Sequence, residues 1–159
     1  MILRAVLAAA LVATAAPAMA QTVPLGANLE RFAYPFPVEW HEAPSQGGTV
    51  RMAYMDIAPT ARANGRTLVL LHGKNFCAAT WGQTARTLAA KGYRVIVPDQ
   101  VGFCKSSKPA GYQYSFQALA ALTAGLLERA GADKVTMVGH STGGILGIRF
   151  ALTYPDRID

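Results

Sequence analysis

Five residues, Gly139-His140-Ser141-Thr142-Gly143, set a serine between two glycines in the pattern G-x-S-x-G. A serine hydroxyl attacks a carbonyl once a base takes its proton, and the reaction also needs N–H groups aimed at the oxygen that becomes charged. The pattern fits a sharp turn from a buried strand into a helix, too tight for side chains at Gly139 and Gly143, which lifts Ser141 into the open. A serine so placed stands at a helix N-terminus, where the dipole and the free N–H groups favour developing negative charge. The bland alternative is a glycine-rich turn whose serine only caps the helix. The Thr142 N–H is one oxyanion donor. The second would come from Leu71-His72-Gly73-Lys74-Asn75, a His-Gly turn directly after an apolar run. Lys74 is the first choice for that N–H and Asn75 the second.

Other chemistry is thinner. His72 reads as a turn residue rather than a catalytic base. Asp99, after another apolar run, reads as a residue that fixes its loop by hydrogen bonds to nearby backbone, not as a catalytic acid. The three histidines, His41, His72 and His140, form no i, i+4 pair, and no cluster has metal-ligand spacing. No G-x-G-x-x-G opens a helix after a strand. Neither a metal nor a cofactor is expected.

The elements that must position these residues alternate. Val38–His41 and Thr49–Ile57 read as strands joined by the turn Ser45-Gln46-Gly47-Gly48. Residues 67–71, 93–97 and 135–138 are short continuous apolar runs, the pattern of strands buried on both faces. Between and after them fall helices at 80–91, at 115–130 with Ser115 as N-cap, and at 142–154. Buried strands alternating with helices predict an α/β fold with a mostly parallel sheet, flanking helices and right-handed crossovers.

In order along the chain, the strand–HGKN, PDQ-x-GF-x-KSS-KP and GHSTGG blocks resemble the α/β-hydrolase fold superfamily, over about residues 36–159. The resemblance implies Ser141 as nucleophile and the N–H groups of Thr142 and Lys74 as oxyanion donors. It makes the strands at 67–71, 93–97 and 135–138 neighbours. A serine at 141 points away from the branches that use a carboxylate nucleophile, the dehalogenases and epoxide hydrolases. Cys104 stands where this loop most often has glycine. Adjacent strands would bring the loops of Cys77 and Cys104 to one sheet edge, making these two a disulfide candidate. A bridge closing about 28 residues is worth roughly 3.6 kcal/mol on the chain-entropy model. The family order is Ser, then Asp or Glu, then His, and no histidine follows Ser141. The expectation is therefore the N-terminal portion of a hydrolase, incomplete after the nucleophile helix and close to inert alone. Its strand at 135–138 would then present an unpaired, aggregation-prone edge.

The implied function is esterase- or lipase-like acyl hydrolysis of a small ester-like molecule through an acyl-serine intermediate. Peptide or carbon–carbon bond hydrolysis on the same fold is the alternative. A non-catalytic remnant or a binding protein is the alternative of another class. Residues 1–20, with Arg4, an apolar stretch and Ala18-Met19-Ala20, have the pattern of a signal peptide cleaved after Ala20, so export to the periplasm or outside is expected. Residues 21–35 read as an irregular lead-in, and the hydrolase domain as 36–159. The net charge of +6 is scattered, which argues against nucleic acid, and the leader is too short for stable membrane insertion.

Overall fold

The computed structural model describes residues 23–159; the leader at 1–20 lies outside them. Five strands form one sheet in the order β1-β2-β4-β3-β5: β1 Glu39–Ser45, β2 Gly48–Ile57, β3 Thr67–Leu71, β4 Arg94–Pro98 and β5 Thr136–Gly139. The β1–β2 hairpin turns at Gln46 and Gly47, both at positive φ, as a two-residue turn matched to strand twist requires. β2 runs antiparallel to β4, and β3 pairs in parallel with β4 on one side and β5 on the other. The three apolar runs are thus neighbours, with 67–71 in the centre.

Three helices cover the sheet: α1 Gly82–Ala89, α2 Phe116–Arg129 and α3 Thr142–Thr153. Along β3, Val69 and Leu71 face a core completed by Leu126 and Leu127 of α2 and Leu146 and Phe150 of α3. Leu68 and Leu70 face the other side, against Ala85 and Ala89 of α1. Both faces are covered, which is why the strand reads as unbroken apolar sequence. Ser115 caps α2, its hydroxyl accepting the Ala118 N–H at 3.1 Å. The helix expected at 80–91 instead begins as a 3₁₀ turn, Ala78–Trp81, and becomes α-helical at Gly82. Arg94 fastens the hairpin to the parallel part: its guanidinium makes two bonds to Asp56, at 2.9 and 2.6 Å, and one at 2.6 Å to the Ala130 carbonyl beyond α2.

β5 is a sheet edge among the described residues, pairing with β3 alone; just before it, Val135 makes one parallel bridge to Ile158. The outer side of α3 beside it is apolar and open, with Ile148 64% and Leu152 71% exposed. No helix among the described residues is long and apolar enough to cross a membrane.

Candidate active site

The parallel strands deliver three loops to one edge of the sheet: 72–77 after β3, 99–107 after β4 and the turn 139–141 after β5. Ser141 is exposed and sits at φ 55°, ψ −121°, the residue from which α3 starts. Those angles are the first central position of a type II′ turn, where glycine is the usual residue. The reversal brings α3 hard against the end of β3. A Cβ on Gly143 would run into the Leu71 and His72 carbonyls, and one on Gly139 into the Gly143 backbone. Both glycines of the motif are therefore fixed by close approach. The Ser141 side chain makes no capping bond to its helix.

Thr142 is the first residue of α3, so its N–H has no partner within the helix. Thr142 and Lys74 line one cavity of about 310 Å³. Phe103, Phe116, Leu119 and Leu146 supply much of the remaining wall, making the space mainly apolar. Asn75, the alternative donor, is at φ 67° in an exposed turn and is not part of that lining.

His72 is buried, and both ring nitrogens are engaged: Nδ1–H donates to the Gly73 carbonyl at 2.9 Å, and Nε2 accepts the Gln100 N–H at 3.0 Å. Burial pushes its pKa below the ordinary histidine value, so it is held neutral as a brace between two loops. His41, on β1 against Gly125 of α2, is likewise pushed down, first by burial and then by Arg129. The His140 ring packs edge-on to Phe76. Among the described residues none of the three hydrogen-bonds the Ser141 hydroxyl.

Asp99 is fully buried and accepts three bonds: from the Tyr34 hydroxyl at 2.6 Å, the Ala78 N–H at 2.7 Å and the Lys105 N–H at 3.1 Å. It fixes its own loop, as its place after a strand suggests, and also the start of the 3₁₀ turn. Tyr34 belongs to the segment read as an irregular lead-in, where no periodicity marks it. Its hydroxyl is pushed to higher pKa, by burial first and then by Asp99. Cys77 and Cys104 are joined by a disulfide with Cα atoms 5.7 Å apart.

Comparison with known proteins agrees in kind. The profile described as alpha/beta hydrolase fold matches residues 66–159. A solved structure of a probable hydrolytic enzyme from Pseudomonas aeruginosa PAO1 superposes with a TM-score of 0.80 at 58% identity, covering 82% of this chain and 42% of that one. The haloalkane dehalogenase of Mycolicibacterium paratuberculosis is 33% identical over 137 residues, 82% of this chain and 42% of the relative. The 2-hydroxy-6-oxo-2,4-heptadienoate hydrolase of Pseudomonas putida is 35% identical over 96 residues, 59% of this chain and 35% of the relative. The chain spans less than half the length of each.

Proposed function

The chain belongs to the α/β-hydrolase fold family, and from that premise we propose that it serves a serine hydrolase of small carbonyl compounds, with Ser141 as nucleophile. One observation carries the reading: a serine, not a carboxylate, occupies the strained turn at φ 55° between β5 and α3. Ser141 Oγ would attack the carbonyl carbon, its proton passing to a general base and from there to the leaving group, while the carbonyl π pair moves onto oxygen. The Thr142 and Lys74 N–H groups would hold that oxyanion, and expulsion of the leaving group would give an acyl-serine for water to hydrolyse. The cavity lined by Thr142 and Lys74 offers an apolar wall for the non-reacting part of the substrate.

The bond broken has two readings. Ester hydrolysis follows from the serine and its donors. Cleavage of a carbon–carbon bond next to a ketone is favoured by the likeness to the 2-hydroxy-6-oxo-dienoate hydrolases. The test is labelling of Ser141 by a fluorophosphonate probe, then turnover of p-nitrophenyl esters against a 2-hydroxy-6-oxo-dienoate. Labelling that survives Ser141→Ala would overturn the nucleophile. Turnover of the dienoate with esters left untouched would select the second reading.

Export is part of the proposal. The leader pattern at 1–20 and the Cys77–Cys104 bridge both suit an oxidising compartment. Recovery from the periplasm of a chain beginning at Gln21 is the expected result.

A further inference from the structure

Besides the edge-on contact of the His72 and Phe103 rings, three bonds join the loop after β3 and the turn that follows it to the loop after β4. They are the Gln100 N–H on His72, the Ala78 N–H on Asp99, and the Cys77–Cys104 bridge. The two loops are unequally held. The 99–107 loop is braced from within and from below. Asp99 takes the Lys105 N–H, the Gly102 N–H donates to the Ser107 carbonyl at 2.9 Å, and the Ser106 hydroxyl donates to the Asp99 carbonyl at 2.7 Å while accepting the Ala53 N–H of β2 at 2.9 Å. The loop after β3 is sparse. Lys74, Asn75 and Phe76 are exposed in succession, Asn75 at positive φ, and one backbone bond, Phe76 N–H to the Gly73 carbonyl at 3.1 Å, closes the turn. Cys104 also sits at φ 48°, in the left-handed region that a side chain occupies at a cost. The bridge is what this loop gains from a side chain there.

We infer that the Cys77–Cys104 disulfide is a positioning element of the oxyanion site, carrying the rigidity of the braced loop to the segment that presents the Lys74 N–H. The inference rests on Ser141 as nucleophile. Cys77 lies three residues past Lys74, so the bridge fixes the far end of that segment while His72 and Gly73 fix the near end. An N–H displaced by about 1 Å from a developing charge costs up to about a hundredfold in rate. The two remaining ties limit the displacement, so release of the bridge should cost about tenfold.

The experiment measures how fast a fluorophosphonate phosphonylates Ser141, fluoride leaving, across probe concentrations, in the purified full chain before and after treatment with dithiothreitol. The reagent passes two electrons and two protons to the sulfurs, leaving two thiols, and itself closes to a cyclic disulfide. The maximal rate should fall about tenfold, with little change in half-saturating concentration, and return on reoxidation. The Cys77→Ser/Cys104→Ser variant should match the reduced protein and ignore the reductant. A bridge that only added stability would shift the unfolding midpoint and leave the labelling rate alone. Equal rates in oxidised and reduced protein overturn the proposal. A chain that labels too slowly to measure, as expected where no histidine follows Ser141, leaves the decision to amide exchange. Amide exchange then decides the bridge's role: faster exchange at residues 74–76 on reduction, with 99–107 unchanged, supports it, and no change there overturns it.

Discussion

The Gln100 N–H points at His72 Nε2 from 3.0 Å, inside the protein, and so fixes which nitrogen of His72 carries the proton. Nε2 accepts, hence Nδ1 is protonated and donates to the Gly73 carbonyl. One neutral ring thereby spaces the loop that bears Lys74 from the loop that walls the cavity. His72→Gln loses this fit and strands a buried N–H at Gln100, with an expected cost of about 1–3 kcal/mol in urea unfolding.

The same ring gives a pH dependence. The pKa of His72 lies below its ordinary value in the folded chain because of burial, and His41 shifts the same way. Below about pH 6.5 the unfolded chain takes up protons that the folded chain refuses. These histidines' contribution is therefore whole above about pH 6.5 and declines as the pH falls from there towards the lower folded values. The urea midpoint should be lower at about pH 5.5 than at about pH 8, and the difference should shrink in His72→Gln. An unchanged difference in that variant would take His72 out of the account.

Asp99 is the other pin between these loops, and its bonds make a cycle. Tyr34→Phe removes one charge-assisted bond, at an expected cost of about 1.5–3 kcal/mol. Asp99→Ala strands the Ala78 and Lys105 N–H groups together with the Tyr34 hydroxyl and should cost more than about 3 kcal/mol. The double variant should lose less than the sum, since both changes remove the same bond. Strict additivity would mean that the 2.6 Å contact contributes nothing.

The parallel core was legible because β3 and β4 are buried on both faces and their apolar runs need no partner to be recognised; β5, expected to be equally buried, is instead a half-open edge strand with Val138 38% exposed. The elbow was legible for a different reason: Gly139 and Gly143 are set by collisions that exclude every other side chain. Where local pattern does not decide, the reading ran short. The start of the helix after β3 depends on Asp99, 21 residues beyond Ala78, holding the Ala78 N–H, so a 3₁₀ turn stands where periodicity gave plain helix. Tyr34 could not be found at all, because its bond to Asp99 spans 65 residues of sequence and no periodicity marks it. His72 was recognisable as a turn residue, but its bond to Gln100 depends on two loops meeting in space.

Neighbouring glycines of the elbow should respond oppositely. Gly143→Ala drives a methyl into the carbonyls that end β3 and should cost about 3 kcal/mol or more, because backbone cannot move aside as a side chain can. Gly144→Ala meets nothing nearer than the Gly139 carbonyl oxygen at 3.7 Å. It also lies inside α3, where alanine is favoured over glycine by up to about 1 kcal/mol. Urea midpoints should fall for the first and rise or hold for the second.

Ser141 itself should be a place where function opposes stability. At φ 55°, ψ −121° it holds a conformation suited to glycine, and a residue with a Cβ in such a region is strained by roughly 1–3 kcal/mol. Ser141→Gly removes that strain while adding about 0.5–1 kcal/mol of freedom to the unfolded chain. The balance favours the folded state by about 1 kcal/mol, enough to raise the melting temperature by a few degrees. Ser141→Ala keeps the Cβ, and with it the strain, so it should not be stabilised. Both variants should lose fluorophosphonate labelling, because both lack the hydroxyl. Thermal unfolding of the three proteins side by side separates backbone strain from hydroxyl chemistry. A Ser141→Gly protein that melts below Ser141→Ala would show that the turn stores no strain at this residue.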